Sequence, residues 1–158
     1  MRFLMLLSLA LWLGAIFFFA LMAPTVFAVL PTRELAGQLI NPLLHKLHFV
    51  GAICGLTFLF ASLAYSLRSR GLFKLFSASH LVLLGMLALT AISQYAVAPS
   101  MAALRIEMGT IDNIAQDDPR RVQFNDLHHW STRLEGGVFL LGLGLLGLTS
   151  RRLNSPRR

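Results

Sequence analysis

The chain has 158 residues, of which 56% are apolar or aromatic and only 13% are charged, with a mean hydropathy of +0.67. A water-soluble domain carries about twice that share of charge, so a soluble enzyme, a disordered tail and a nucleic-acid binder are all excluded. The formal charge is +7, but the cations sit between apolar blocks instead of on one basic face, which fits lipid headgroups and not nucleic acid.

Phe3 to Thr32 is free of charge and predicts a first helix near 3–30. That apolar run far exceeds the core of a signal peptide, so it reads as a retained membrane helix. Twenty-one residues separate Lys46 from Arg68, and Asn41-Pro42 has the form of an N-cap followed by proline, predicting a second helix near 42–67. Gly71 marks a turn. Thirty residues separate Lys74 from Arg105, predicting a third helix near 74–98 that Pro99 kinks or ends. Ser100 to Met108 forms a short helix stopped by Gly109, inside an outer loop at 99–126.

Only 15 residues separate Glu135 from Arg151, too few for a bilayer core about 30 Å thick. The fourth helix, near 127–150, must therefore draw Glu135 toward the hydrocarbon. Asp118-Pro119 repeats the cap signature and would let this helix start well outside the membrane. Residues 154–158 form a basic tail. The expected fold is all-α: an integral membrane four-helix bundle in up-down order.

Orientation follows from the loops. One side carries eight Lys and Arg and no acids; the other carries six cations and all seven acids. Both termini are therefore expected in the cytoplasm, with the chain in a bacterial inner membrane. In lipid, helices associate through small residues. Candidate packing positions are Gly51 and Gly55, which form a GxxxG on helix two, Gly137 and Gly144 on helix four, Gly14 on helix one and Gly85 on helix three. They serve packing within the chain or a homo-oligomer. Cys54 excludes an internal disulfide and reads as a small buried thiol.

Helices two and four both start on the outer side, which converges His45 and His48 with His128 and His129. Glu135 and Gln94 lie at a similar depth, with Ser131 and Thr132 beside them. A polar layer in a membrane bundle is a functional-site hypothesis. Three readings stay open: a self-satisfied layer that sets helix register, a metal or haem site, and a proton or solute path. The metal site would use His48, His128 and Glu135, with His45, His129 or Met101 as further ligands for copper or haem. Arg133 points away from Glu135 and snorkels toward headgroups. His80 is expected as a packed polar anchor near the inner end of helix three. No phosphate loop, nucleophile elbow or catalytic motif is visible, so no catalytic residue is expected.

Two stretches carry a family resemblance. Trp12-Leu13-Gly14-Ala15-Ile16-Phe17-Phe18, Ala23-Pro24-Thr25-Val26-Phe27, Leu30-Pro31 and Ala36-Gly37 resemble the start of the transmembrane protein 205-like family, a domain of unknown function. Pro99-Ser100-Met101 and Phe124, Leu127, His128, Ser131 and Leu134 are similar to its second half. The resemblance implies four membrane helices and points toward metal handling or trafficking. His128 is the polar residue that matches the family pattern; Glu135 and His45 stand where the family tends to have other residues. In layout alone the chain also resembles copper-resistance and haem-linked four-helix membrane families. The expected function is a non-enzymatic accessory or structural subunit of a larger membrane complex. The alternatives are a copper or haem protein and a small proton-coupled or solute transporter. The expected partners are the bilayer, other membrane subunits or further copies of the chain.

Overall fold

A computed structural model describes residues 1–70, 78–109 and 111–154. The Gly71 turn, the expected start of the third helix at 74 and residues 155–158 of the tail lie outside the described residues. Within them the chain is all-helical: α1 (Arg2–Val29), α2 (Arg33–Arg70), α3 (Ala78–Ile92), α4 (Ala98–Met108) and α5 (Pro119–Asn154). A π-helical turn at Ser93–Val97 joins α3 to α4, and a 3-10 turn at Ile111–Asn113 precedes α5. Four helical rods are long and apolar enough to cross a membrane: Arg2–Val29, Arg33–Arg68, Ala78–Met108 and Pro119–Arg151.

The second rod begins nine residues earlier than the Asn41-Pro42 signature suggests. Thr32 supplies the cap instead, its Oγ1 accepting from the Leu35 amide at 3.2 Å. Pro42 then lies inside α2, as Pro24 lies inside α1. Proline costs one intrahelical bond in water, but membrane helices tolerate it because neighbouring groups compensate. Asp118 caps α5 as its sequence implies: its Oδ1 accepts from the Arg120 amide at 2.8 Å, and α5 runs unbroken from Pro119.

Pro99 neither ends the third rod nor breaks it. The helix widens just before it, where the Ala98 amide donates to Ser93 O, five residues back. Pro99 follows in the first turn of α4, where its missing N–H costs nothing. An extra residue in one turn rotates the side chains that follow, and such bulges gather at functional positions.

Arg2 Nη2 donates to Tyr65 Oη at 3.0 Å, tying the start of α1 to the end of α2. Buried Met5, Leu9, Trp12, Ile16, Phe58, Leu83, Met86, Val138 and Leu145 form the core. Phe3, Phe18, Phe49, Phe60, Leu81 and Leu140 point outward at 60–72% exposure, an inside-out distribution that suits lipid and not water. A smaller cluster of Leu104, Met108 and Ile111, with Ile114, Phe124 and Leu127 against it, closes the end that carries α4.

The glycines divide into two groups. A Cβ on Gly51 would stand 2.5 Å from Trp12 Nε1, and one on Gly55 would stand 2.7 Å from Leu87 Cδ2 and 3.0 Å from the same indole. The GxxxG of α2 is therefore a berth for a tryptophan, not a crossing point of two backbones. Gly142, outside the expected packing set, receives Leu13 and Met86 in the same way. Gly137 and Gly85 meet only the ends of Leu89 and Leu141. Gly14 and Gly144 meet nothing within 4 Å, so the expectation that they pack helices within this chain fails. Their stretches of α1 and α5 lean on the core through other faces.

Candidate functional site: a polar strap across three helices

The buried layer is built from α2, the π turn and α5. His45 and His48 are three residues apart on α2 and face the same neighbour. Gln94 comes from the π turn and reaches between them. Its Nε2 lies 2.7 Å from His45 Nδ1, and its Oε1 lies 2.7 Å from His48 Nδ1 and 3.0 Å from His45 Nδ1. On the far side of the same imidazole, His48 Nε2 lies 2.6 Å from Glu135 Oε1. His48 is buried, whereas the Glu135 side chain keeps 15% exposure.

These contacts assign the protons. The Gln94 amide N–H donates to His45 Nδ1, so the His45 proton sits on Nε2. The Gln94 carbonyl accepts from His48 Nδ1–H. One proton is then left between His48 Nε2 and Glu135 Oε1. It makes the pair either imidazolium with carboxylate or imidazole with carboxylic acid. Both forms are neutral overall, which is how an ionisable pair avoids the cost of a bare charge in a low-dielectric interior.

Ser131 is buried one turn before Glu135, and Thr132 Oγ1 turns back to donate to His128 O at 3.0 Å. Neither closes the strap. Ser93, next to Gln94, is buried with no partner for its Oγ. His128 and His129 lie outside it, exposed, with their rings 6.3 Å apart. His128 is two turns from Glu135, about 10 Å along the axis. Met101 is half-buried two turns beyond Gln94 on α4. Arg133 lies over Trp130 at 5.6 Å, away from Glu135. Among the described residues no group of three or more His, Cys, Asp or Glu side chains is arranged to hold a metal ion.

Below the strap the interior is apolar, through Trp12, Cys54, Phe58, Leu83 and Met86. The buried hydroxyls of Ser8 and Thr90 within it are spent on their own helices, donating to Met5 O and Met86 O. At the other end Ser62 Oγ lies 2.9 Å from His80 Nε2, with Ser66, Ser79 and Thr149 also buried. The two polar ends are thus separated by a largely apolar layer in which no hydroxyl bridges one helix to another among the described residues. Of these features, the π turn and the His80–Ser62 pair carried no usable sequence signal. Gln94 was legible only as a polar residue at the right depth.

The family model described as a domain of unknown function (DUF4149) matches residues 7–110, about two thirds of the chain. The chain belongs to this family. Among the strap residues, His45, His48 and Gln94 fall within the matched DUF4149 region, and Glu135 falls beyond it. No curated protein and no solved structure matches the chain.

Proposed function

We propose that this DUF4149 chain is a non-enzymatic four-span protein of a bacterial inner membrane, acting as a structural or accessory subunit of a larger membrane complex. The observation that carries this reading is the self-sufficiency of the strap. His45 Nδ1, both His48 nitrogens, both ends of the Gln94 amide and one Glu135 oxygen are spent on one another. A layer so satisfied fixes the register of three helices and leaves the lipid-facing surface to meet partners. The pairing of Arg2 with Tyr65, and of His80 with Ser62, supports an up-down order. The loop charges support cytoplasmic termini. Alkaline phosphatase fused after Glu107 should be active, and after Arg68 inactive; the reverse pattern would invert the orientation.

Purification in a mild detergent with mass spectrometry and an absorption spectrum tests the role. Stoichiometric membrane partners are expected. A chain that purifies alone, as a monomer, would remove the accessory reading, and a homo-oligomer would replace the partner with further copies. A copper or haem site on His48, His128 and Glu135 is the less supported reading, because a metal would have to displace bonds already made and His128 stands apart. Stoichiometric metal or a Soret band would restore it.

One observation favours proton-coupled carriage as a second reading. The shared proton lies between a buried imidazole and a carboxyl that remains partly exposed. Reconstituted vesicles under a pH gradient test it, and the largely apolar layer beneath the strap requires that any passage open a second conformation.

A further inference from the structure

Arg105 on α4 is a second built position, separate from the strap. Its guanidinium is folded inward against Gly37 of α2, where a Cβ would stand 2.3 Å from Nη2 and 2.8 Å from both Cζ and Nη1. Only glycine leaves room for it. The ring of Phe124 on α5 lies 5.7 Å from Cζ on another side, a cation–π contact. Three elements thus hold this side chain in place. Among the described residues it has no ion-pair partner, and its buried Nε has no hydrogen-bond acceptor.

Glu34 precedes Gly37 by three residues and so lies about 4.5 Å along the same face of α2. Its Oε1 accepts from Gln38 Nε2 at 3.3 Å, while its buried Oε2 has no donor. Gly37, where the guanidinium with its orphan donor is seated, and Glu34, whose carboxylate carries the orphan acceptor, are therefore about one helical turn apart on α2. Buried polar atoms of this kind are rare in native structures and mark a missing partner.

Depth says where that partner comes from. The rod Ala78–Met108 has 31 residues, about 46 Å at helical rise, against about 40–45 Å for a bilayer including its headgroups. Arg105, three residues from the rod's end, and Glu34, one residue into α2, both fall in the headgroup zone. Guanidinium matches the paired oxygens of a phosphate, and carboxylate matches an ammonium. An ethanolamine bridge of two carbons sets these two charges at a separation comparable to one helical turn.

We infer that Arg105, Gly37, Phe124 and Glu34 form a binding site for the zwitterionic headgroup of phosphatidylethanolamine, with Arg105 holding the phosphate and Glu34 the ammonium. The site needs neither the strap nor any partner subunit. Native mass spectrometry of the full chain in detergent doped with equal phosphatidylethanolamine and phosphatidylglycerol tests it. Wild type should retain phosphatidylethanolamine in preference. Glu34→Gln should abolish the preference while keeping phosphate-bearing lipid. Arg105→Gln should lower retention of both lipids about tenfold, the loss of one charge-assisted contact. Gly37→Ala leaves the net charge unchanged and unseats the guanidinium, so it should act like Arg105→Gln. Circular dichroism confirms that each variant is helical. Equal retention of the two lipids by wild type, unchanged preference in Glu34→Gln, or undiminished retention in Gly37→Ala, would overturn the site. Equal protection against heat by free phosphoethanolamine in lipid-free detergent would overturn its assignment to a lipid.

Discussion

His48 and Glu135 stand 87 residues apart in sequence and 2.6 Å apart in space, joined by a single shared proton. The imidazole comes from α2 and the carboxyl from α5, so this one contact ties those two helices together beside the π turn. It is a short bond in a poorly solvated layer.

Removing either partner leaves the other unmatched, His48 in the buried interior and Glu135 at its partly exposed edge. His48→Ala is expected to cost about 3 kcal/mol, whereas Glu135→Gln keeps a hydrogen-bonding group and should cost about 1 kcal/mol. Unfolding in mixed detergent, followed by tryptophan fluorescence, measures both. The double variant should cost much less than the two single losses combined; strict additivity would mean that the two side chains do not interact.

Gln94 joins two histidines to one amide. Gln94→Leu should destabilise by about 2 kcal/mol, because the Nδ1 atoms of His45 and His48 lose their shared partner together. Gln94→Asn, one methylene shorter, should recover little of that, since the reach is set by the π turn. Full recovery would show that the turn does not aim the side chain.

Two glycine substitutions should part company. Gly51→Ala places a methyl against a rigid, buried indole and is expected to cost about 2 kcal/mol, with a shifted Trp12 emission. Gly144→Ala meets open space and should stay within about 0.5 kcal/mol of wild type. Equal effects would return the GxxxG to an ordinary helix crossing.

The first turn of α5 should respond to acid. The Arg120 side chain, bonded to Asp118, and the Arg120 amide hold this surface carboxylate down to about 2. Its ordinary value is 3.8, so the folded form is favoured above that pH, and the contribution is lost as pH falls through about 2. Amide exchange at Arg120 and Val122, corrected for intrinsic rates, should lose protection over that window. Asp118→Ala should show the weakened protection already at neutral pH, and Asp118→Asn should restore most of it.

Charge-free stretches were enough to locate four spans, because a bilayer demands about 20 apolar residues whatever the fold. Asp118-Pro119 was equally legible, since a cap is a local contact. Asn41-Pro42 misled for the matching reason: the rule assumes that proline begins helices, and a membrane interior lets it sit inside one. Glu135 stood out because its apolar stretch is too short without it. The bonds it makes did not, and His128, which shares its helical face, stayed outside the strap.

Sequence alone thus determined that the chain carries four stretches long and apolar enough to cross a membrane, and which carboxylate the last of them draws inward. These follow from length, charge and local capping, which act along one segment at a time. Only the tertiary structure decided that Gln94 bridges two histidines, that Trp12 fills the glycine berth, and that Arg105 folds inward onto Gly37. Each depends on the rotation of one helix against another. In this chain that rotation is set by a π turn and by side-chain volumes meeting across an interface, and neither is written in the residues of any single helix.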